Sequence, residues 1–248
     1  MNETIQTQLA HRSIRKFKQE AISQDIINTL VDVAQHTSTS NFRQNYSIIS
    51  ITDETKKQQI ATICDQNYVA ESGHLFIVVL DQYRNYTIAR DKGVDTSVLE
   101  TTDRFLAASM DCALLTQNMV VAAESLGLGA VILGSILNDS KAIIEMLELP
   151  EYTFPILGLA IGYPDQEPQL KPRLPKQFVY FENTYTKFEN INNELSEYNE
   201  TVQTYYDLRN SNKRVDSFSN QMSTQMNMRH PKRMQNLERL HEQGLLKK

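Results

Sequence analysis

The segment from Asp103 to Ser125 constrains the fold most, because it is the longest helical pattern in the chain and has little purely polar face. Its apolar residues at helical spacing include Phe105, Leu106, Met110, Leu114, Met119 and Val120. Its polar interruptions are Asp111, Gln117, Asn118 and Glu124. These interruptions argue against a membrane span. We therefore expect a helix that protein buries on most sides, and a helix from a second subunit is one way to cover it. Gly127 stands where a left-handed C-cap residue is expected.

Short apolar runs, several of them rich in isoleucine and valine, predict β-strands on both sides of this helix. The runs are 47–52, 75–80, 130–133 and 154–161. Helices are predicted at 2–10, at 24–36 with Ser23 as its cap, at 54–64 and, with a capping residue, at 138–149. Residues 86–95 are too polar to assign.

The composition changes after residue 164. Residues 165–183 are loop-rich and contain three prolines. A polar helix is predicted at 190–209, and residues 210–229 are nearly free of core-forming side chains. An amphipathic helix is predicted at 231–243, with Pro231 in its first turn.

Charge and cysteine usage exclude several classes of protein. The net charge of -5 argues against a grip on nucleic acid by the whole protein. Cys64 and Cys112 are far apart and form no CxxC pair, so neither a disulfide framework nor a zinc knuckle is indicated. The N-terminus lacks the pattern of a secretion signal. We expect a cytoplasmic protein without a membrane anchor.

The glycines at 127, 129 and 134 do not make a Rossmann fingerprint. Ile132 stands where the third glycine is required, and the stretch follows a helix rather than a strand. The sequence contains no Walker loop, no HExxH and no Gly-x-Ser-x-Gly, and its five histidines show no metal-ligand spacing. We expect no metal and no catalytic side chain of the hydrolase type, so an enzyme of this sequence would take its reactivity from a cofactor.

A basic cluster at the end of the first predicted helix suits a phosphate monoester. His11, Arg12, Ser13 and Arg15 place two guanidinium groups, an imidazole and a hydroxyl within five residues. Arginine binds phosphate through a planar fork, and such charge-assisted bonds are roughly twice as strong as neutral ones. The alternative is a solvated basic turn.

A second basic stretch stands between prolines. In Lys171-Pro172-Arg173 the limited backbone freedom would hold both cations in fixed directions, which suits an anionic ligand. The alternative is an exposed basic loop.

These stretches belong to a series of motifs in which the chain resembles one known family. The series is His11-Arg12-Ser13-Ile14-Arg15, Ser38-Thr39-Ser40, Gln117-Asn118, residues 122–129 and Lys171-Pro172-Arg173-Leu174-Pro175. In this order, and over essentially the whole chain, it resembles the oxygen-insensitive NAD(P)H nitroreductase and flavin reductase family, in its longer NADPH-preferring branch. The C-terminal arm around Tyr205, Tyr206, Arg209, Ser211, Asn212 and Arg214 shares the likeness.

The resemblance implies an α+β fold, with a nitroreductase-like mixed β-sheet flanked by helices in an intertwined homodimer. Residues 1–164 would form the FMN-binding core. Residues 165–248 would form a C-terminal loop and helical arm that completes the same domain, makes dimer contacts and carries the nicotinamide-nucleotide site.

The resemblance also implies which residues hold one FMN in each interface pocket. His11, Arg12, Ser13 and Arg15 would bind the phosphate and ribityl end, with Lys171 and Arg173 joining them or reaching the ring. Ser38, Thr39, Ser40 and Gln66 would contact the ring or the ribityl chain, and Ile132, Leu133, Gly134 and Ser135 would line the ring edge. Ser135 departs from the glycine expected there, and Asn41 replaces a commoner serine, which puts the substrate range in doubt. Phe42 and Tyr68 would shape the pocket or be ordinary packed aromatics, and the sequence favours the second.

The implied activity is a two-electron, ping-pong hydride transfer from NADPH, or NADH, to small acceptors such as nitroaromatics, quinones or free flavin. Arg209 and Arg214 are the expected contacts of the NADPH 2′-phosphate, and the alternative is that they are surface arginines that aid solubility. A non-catalytic FMN-binding protein is the main rival. A nucleic-acid binder using the C-terminal arginines is a weaker one.

Overall fold

The computed structural model describes residues 1–210 and 216–248, and of residues 207–210 it describes the backbone. The described residues form two compact units. The first comprises Met1–Glu167 together with His230–Lys248, and the second comprises Pro168–Arg229. Residues 230–248 therefore pack with the first unit, whereas the sequence-based division into 1–164 and 165–248 stays a prediction.

A four-stranded sheet lies at the centre of the first unit. Its strands are Tyr46–Ile51 (β1), His74–Asp81 (β2), Gly129–Leu133 (β3) and Thr153–Gly162 (β4). They follow the order β1-β2-β4-β3, and each neighbouring pair is antiparallel. A parallel bridge between Ser13 and Ala130 adds to the outer edge of β3 and makes the sheet mixed there. The strands predicted from the apolar runs are confirmed, with ends that differ by at most one residue.

Helices flank this sheet, and further helices lie in the second unit. In chain order they are Glu3–Leu9 (α1), Gln24–Gln35 (α2), Glu54–Cys64 (α3), Tyr83–Asp91 (α4), Thr102–Ser125 (α5), Ser140–Met146 (α6), Ile191–Glu194 (α7), Ser196–Asn210 (α8), Phe218–Met226 (α9) and Asn236–Glu242 (α10). Side-chain caps fix several beginnings, and the predicted cap of α2 is confirmed because Ser23 Oγ accepts the Ile26 N–H at 3.3 Å. Gly127 has φ of 77°, which confirms the left-handed residue after α5.

Two predicted helix beginnings are wrong. α6 begins at Ser140 with Asp139 as its cap, because a 3₁₀ helix occupies Gly134–Asp139. α10 begins at Asn236, because a short 3₁₀ turn precedes it where the sequence predicted a helix starting at Pro231.

Two polar segments are more ordered than the sequence indicates. Residues 210–229 include α9, and Phe218 at its start packs against the core of the second unit, so the expectation of a nearly core-free segment is wrong there. The unassigned stretch 86–95 contains the second part of α4, residues 86–91.

The long helix α5 is buried on one side and exposed on the other. Ala108, Leu115 and Met119 are fully buried against the sheet and α2, whereas Leu106, Met110 and Leu114 are 49%, 59% and 52% exposed. Burial on most sides is therefore wrong for the single chain. The helix is long and apolar enough to cross a membrane, and core helices of soluble proteins pass the same test.

The second unit has its own small core. Leu195, Tyr198, Val202, Tyr205 and Tyr206 of the α7–α8 region form it, with Leu174, Phe178 and Phe218 packed against them. The side-chain amide of Asn199 donates from Nδ2 to Ser219 Oγ and accepts the Ser219 N–H at Oδ1, which fixes α9 on α8.

Candidate functional site

The basic cluster of residues 11–15 is fixed along the outer edge of β3. Ser13 pairs with Ala130, and the Ile14 N–H donates to the Ala130 carbonyl at 3.0 Å. Ile14 is buried, while its neighbours Ser13 and Arg15 lie nearer the surface. Because successive side chains of an extended segment point to opposite faces, this anchoring turns the hydroxyl of Ser13 and the guanidinium of Arg15 away from the core.

A carboxylate at the end of α5 orients His11. Its Nδ1 lies 2.6 Å from Glu124 Oε1, and the two side chains are 29% and 12% exposed. The carboxylate fixes the orientation of the imidazole and leaves Nε2 for another partner. Within the described ranges 1–210 and 216–248, two buried atoms of this region, Glu124 Oε2 and Arg12 Nε, have no hydrogen-bond partner.

A second group of predicted residues meets around Gln66. Its Oε1 accepts hydrogen bonds from the Tyr68 hydroxyl at 2.7 Å and from Ser135 Oγ at 3.1 Å. The Arg15 guanidinium interacts with the same tyrosine: burial raises the pKa of the Tyr68 phenol, and the charge of Arg15 opposes that rise. Tyr68 thus joins Arg15, Gln66 and Ser135 in one polar group. Because Tyr68 and Ser135 both donate to the Gln66 oxygen, the Gln66 N–H₂ points away from these two hydroxyls.

The end of β3 presents backbone beside this group. The Leu133 side chain is buried in the core, so only the backbone of this residue could contact a ligand. The Ile132 side chain is exposed. A Cβ built at Gly134 would meet no atom of the described residues within 4 Å, apart from its own chain neighbours. This stretch therefore provides open space in which a flat molecule could approach the main chain closely.

The buried Cys64 belongs to the same neighbourhood but is not a nucleophile. Burial raises the pKa of its thiol, and a hydrogen bond with Ser135 opposes the rise. The protonated thiol is the unreactive form.

The loop with Ser38, Thr39 and Ser40 lies elsewhere on the first unit. The Ser40 N–H donates to Asp111 Oδ1 at 2.9 Å, and the Asn45 N–H donates to Oδ2 of the same carboxylate at 3.4 Å. Between residues 38–40 and the exposed face of α5 runs a groove of about 420 Å³. Asp111 is 2% exposed and holds this loop against the helix.

The 38–40 loop and the basic cluster of residues 11–15 are attached to α5 at distant points, through Asp111 and Glu124. Asp111 and Glu124 are thirteen residues apart. At the rise of an α-helix this places them about 20 Å apart along the axis. The structure therefore brings Arg15, Gln66 and Ser135 together, and it does not bring Ser38–Ser40 to them within one chain.

The remaining predicted residues belong to the second unit or lie outside the described structure. The Lys171-Pro172-Arg173 stretch is tied to α8 because the Tyr198 hydroxyl donates to the Pro172 carbonyl at 3.3 Å. Burial raises the pKa of Tyr198, and the charge of Arg173 opposes this. Arg209 is in α8 with its side chain undescribed, and Arg214 lies outside the described residues.

Sequence reasoning missed Asp111 and underrated Tyr68. The signal for Asp111 was available, because it occupies the same helical stripe as the buried Ala108 and Leu115. A charge in a buried stripe is rare unless it is paired. No comparable signal marked Tyr68, which acquires its role from residues on three separate segments.

Comparison with known families decides the relationship. The model described as "Nitroreductase family" matches residues 9–163, and that described as "Nitroreductase family, C-terminal domain" matches residues 171–248. The chain belongs to the nitroreductase family. The α+β fold expected from the motifs is thereby confirmed.

Relatives in this family are similar over nearly their full length. A Bacillus subtilis (strain 168) protein named FMN reductase (NADPH) is 41% identical over 225 residues, which is 90% of each chain. A Staphylococcus saprophyticus NADPH-dependent oxidoreductase is 39% identical over 242 residues, or 96% of each.

Solved structures agree. The NfrA1 nitroreductase from B. subtilis superposes with a TM-score of 0.94 at 38% identity, covering 99% of this chain and 100% of that one. The NADPH:FMN oxidoreductase from Vibrio harveyi, complexed with NAD⁺, superposes with a TM-score of 0.88 at 32% identity and covers 100% of both.

Proposed function

We propose that this nitroreductase-family chain is an FMN-dependent NADPH oxidoreductase that delivers electrons in pairs to nitroaromatics, quinones or free flavin. The observation that carries the proposal is the polar group of Arg15, Tyr68, Gln66 and Ser135 beside the open backbone at Gly134. The names of the relatives from B. subtilis and V. harveyi support the same cofactor and donor.

The residues of the first unit fit FMN. Its phosphate needs several donors and a positive charge, and His11, Arg12, Ser13 and Arg15 supply both. The buried Arg12 Nε has no acceptor in the described chain, as expected of a group whose acceptor is a bound anion. The flat ring needs close access to backbone, which the open space at Gly134 offers.

Bound FMN would supply the hydride chemistry, accepting a pair of electrons from NADPH and releasing it to the second substrate. The side chains of the protein would bind FMN and polarise its ring. The Gln66 amide, held by Tyr68 and Ser135, and the Arg15 guanidinium are preorganised donors, which favour negative charge developing nearby. No catalytic amino acid is proposed, since binding by ordered donors is sufficient for a reaction that the cofactor performs.

We propose that the active form is a homodimer. The Ser38–Ser40 loop and the His11–Arg15 cluster attach about 20 Å apart on α5. The exposed Leu106, Met110 and Leu114 border the groove beside that loop. A second copy covering this face would bring its own 38–40 loop toward the cluster of the first. The free, buried cysteines Cys64 and Cys112 suit the cytoplasmic location expected from the sequence.

Lys171 and Arg173 remain predicted FMN contacts, and Arg209 and Arg214 remain predicted NADPH contacts. Replacing Arg209 and Arg214 together by alanine is expected to raise the KM for NADPH, because two charge-assisted bonds to the 2′-phosphate are lost, while bound FMN is retained. Steady-state kinetics with NADPH and NADH check this. An equal change for both donors would remove the 2′-phosphate assignment.

Anaerobic addition of NADPH to the purified FMN-bound protein tests the proposed function. Rapid bleaching of the flavin absorption, followed by recovery on adding a quinone, is expected of the oxidoreductase. A protein that binds FMN and stays yellow with both NADPH and NADH would instead be the non-catalytic flavin-binding protein.

A further inference from the structure

A second cavity, outside the group around Gln66, is lined by arginines. It has a volume of about 490 Å³ and lies between the loop at 42–45, the start of α4 and the turn before α5. Arg43, Arg84 and Arg104 line it together with two asparagines, and no acidic residue is among the described residues that line it. Such a lining favours an anionic ligand.

The three arginines differ in what already binds them. The Arg84 guanidinium already has protein partners, because it pairs with Asp81 at 3.2 Å and donates to the carbonyls of Tyr46 and Gln44. Arg43 donates from one terminal nitrogen to Ser40 Oγ at 2.9 Å, and its buried Nε is left over. Among the residues that the structure describes, Arg104 has no hydrogen-bonded or ionic partner for its guanidinium.

The cavity has surplus donors and few remaining acceptors. Asn45 is 2% exposed, yet its buried Nδ2 has no partner in the described chain. Its Oδ1 and the Arg43 carbonyl both accept from the Asn85 amide at 3.0 Å. A buried donor without an acceptor costs roughly 1–3 kcal/mol, and two of the residues that line this cavity, Arg43 and Asn45, each carry such a donor.

The position of Arg104 strengthens this. It is the third residue of α5, in the turn where the helix dipole disfavours a cation. The nearest buried carboxylate on this helix, Asp111, already binds the Ser40 and Asn45 amides. The Arg104 guanidinium is therefore free to bind an anion in the cavity.

The loop that forms one wall is strained and carries an exposed aromatic ring. Asn41, Phe42 and Gln44 have φ of 51°, 56° and 50°, which is unfavourable for residues other than glycine. Phe42 is 83% exposed at the rim. The same loop reaches the 38–40 region through the Arg43–Ser40 hydrogen bond, so the cavity adjoins the predicted flavin contacts.

We propose that this cavity binds the anionic group, phosphate or carboxylate, of a planar aromatic electron acceptor. Arg43 and Arg104 bind the anion through their guanidinium groups, and Phe42 offers a face on which the ring stacks. The proposal rests on the proposed oxidoreductase function and specifies which acceptors it prefers.

Matched acceptor pairs test the proposal. FMN is compared with riboflavin, and 4-nitrobenzoate with nitrobenzene, by anaerobic NADPH consumption with the FMN-loaded enzyme. Arg104→Gln and Arg43→Gln are each expected to lower kcat/KM for the charged member by about 10-fold or more, since a charge-assisted bond is lost. The uncharged member is expected to change by less than about 2-fold, within the range of ordinary surface substitutions. Arg104→Lys, which keeps the charge, is expected to retain most of the preference.

Arg90→Gln is the control, because Arg90 lies on the neighbouring α4 outside the cavity and pairs with Asp91. Equal losses for charged and uncharged acceptors would overturn the proposal. So would a change confined to the KM for NADPH relative to NADH, which would assign the cavity to the donor's phosphate. A wild-type enzyme that reduces no acceptor at all would instead refute the proposed function.

A direct measurement guards against misfolded variants. Inorganic pyrophosphate is expected to raise the melting temperature of the wild type and of Arg90→Gln, because a ligand that binds the folded state stabilises it. The Arg43→Gln/Arg104→Gln double variant is expected to show no such rise. A wild type and double variant that respond equally would show that pyrophosphate binds elsewhere and would contradict the proposal.

Discussion

Asp111 connects the interior of the protein to its candidate site through a single side chain. Each oxygen of its carboxylate accepts a backbone N–H, one from Ser40 and one from Asn45. These two bonds span a loop that includes three left-handed, non-glycine residues. The carboxylate therefore compensates for strain that the loop sequence alone would relieve by changing conformation.

Replacing Asp111 by asparagine is expected to lower the free energy of unfolding by about 1–3 kcal/mol, because one of the two N–H groups then faces an amide donor. Urea denaturation measures this. Asp32→Asn, an exposed acid on α2, is the control and is expected to change stability by less than about 0.5 kcal/mol. Equal stability of the two variants would show that the loop does not depend on this carboxylate.

His74 is a buried imidazole that stays neutral. Its Nε2 is hydrogen-bonded to Ser50 Oγ at 2.6 Å, and its ring centroid lies 4.5 Å from that of Phe76. Burial lowers its pKa to about 4, and the nearby charge of Lys57 adds to the effect. Protonation of this ring would place a second cation beside a buried lysine.

The depressed pKa of His74 predicts a loss of stability in mild acid. Between its ordinary pKa near 6.5 and the folded value of about 4, the unfolded chain binds the proton more readily. The free energy of unfolding therefore falls as the pH is lowered through this window, by up to about 3 kcal/mol. Denaturation of wild type and His74→Phe from pH 7 to pH 4 checks the sign, and the variant is expected to show the shallower dependence. Identical slopes would mean that other groups cause the acid sensitivity.

Secondary structure was predictable where caps and apolar periodicity agree. α3 has the predicted limits, because Asp53 caps it and its buried side chains recur along one face. α4 and α9 were missed because they are polar and neither contains a buried residue, so no apolar periodicity marks them. The basic cluster at residues 11–15 could be predicted from the sequence because its hydrogen-bond donors are close together in the chain. The Asp111–Ser40 contact joins residues 71 apart, so no local pattern identifies Ser40 as the partner of this buried carboxylate.

The contact between β3 and the basic segment depends on a missing side chain. A Cβ at Gly129 would lie 2.5 Å from Ile14 Cγ1 and 2.7 Å from Ile14 Cβ. The second distance involves an atom fixed to the backbone, so the segment would have to move. Glycine is therefore required here for the His11–Arg15 cluster to sit along the strand.

Gly129→Ala is expected to lower the free energy of unfolding by about 1–3 kcal/mol and to weaken FMN binding, because overpacking displaces the cluster. Gly134→Ala is the contrasting variant: its Cβ meets no protein atom, so stability is retained, while the methyl group enters the space proposed for the flavin. Fluorescence titration with FMN and thermal melting separate the two effects. Gly129→Ala with unchanged FMN affinity would show that the cluster does not need this register.

At the scale of the whole molecule, the described chain leaves an apolar stripe of α5 uncovered. Leu106, Met110 and Leu114 follow one another at four-residue intervals and are about half exposed. Single exposed apolar residues are ordinary, but an aligned set marks an interaction surface. The stripe borders the groove beside the Ser38–Ser40 loop. The uncovered apolar surface therefore adjoins the loop that a single chain does not bring to the basic cluster.

Met110→Glu tests whether a second copy covers this stripe. Burial of one such side chain contributes about 1.5–3 kcal/mol, and a carboxylate in its place would need desolvation as well. The variant is therefore expected to sediment as a monomer at concentrations where the wild type is a dimer. It is also expected to lose FMN in parallel, because each pocket would lack the 38–40 loop of the other copy. Ile88→Glu makes the same change at an exposed position on α4 and is expected to remain dimeric and yellow. A Met110→Glu protein that stays dimeric, or a monomer that keeps FMN with wild-type affinity, would show that the site is complete without a partner.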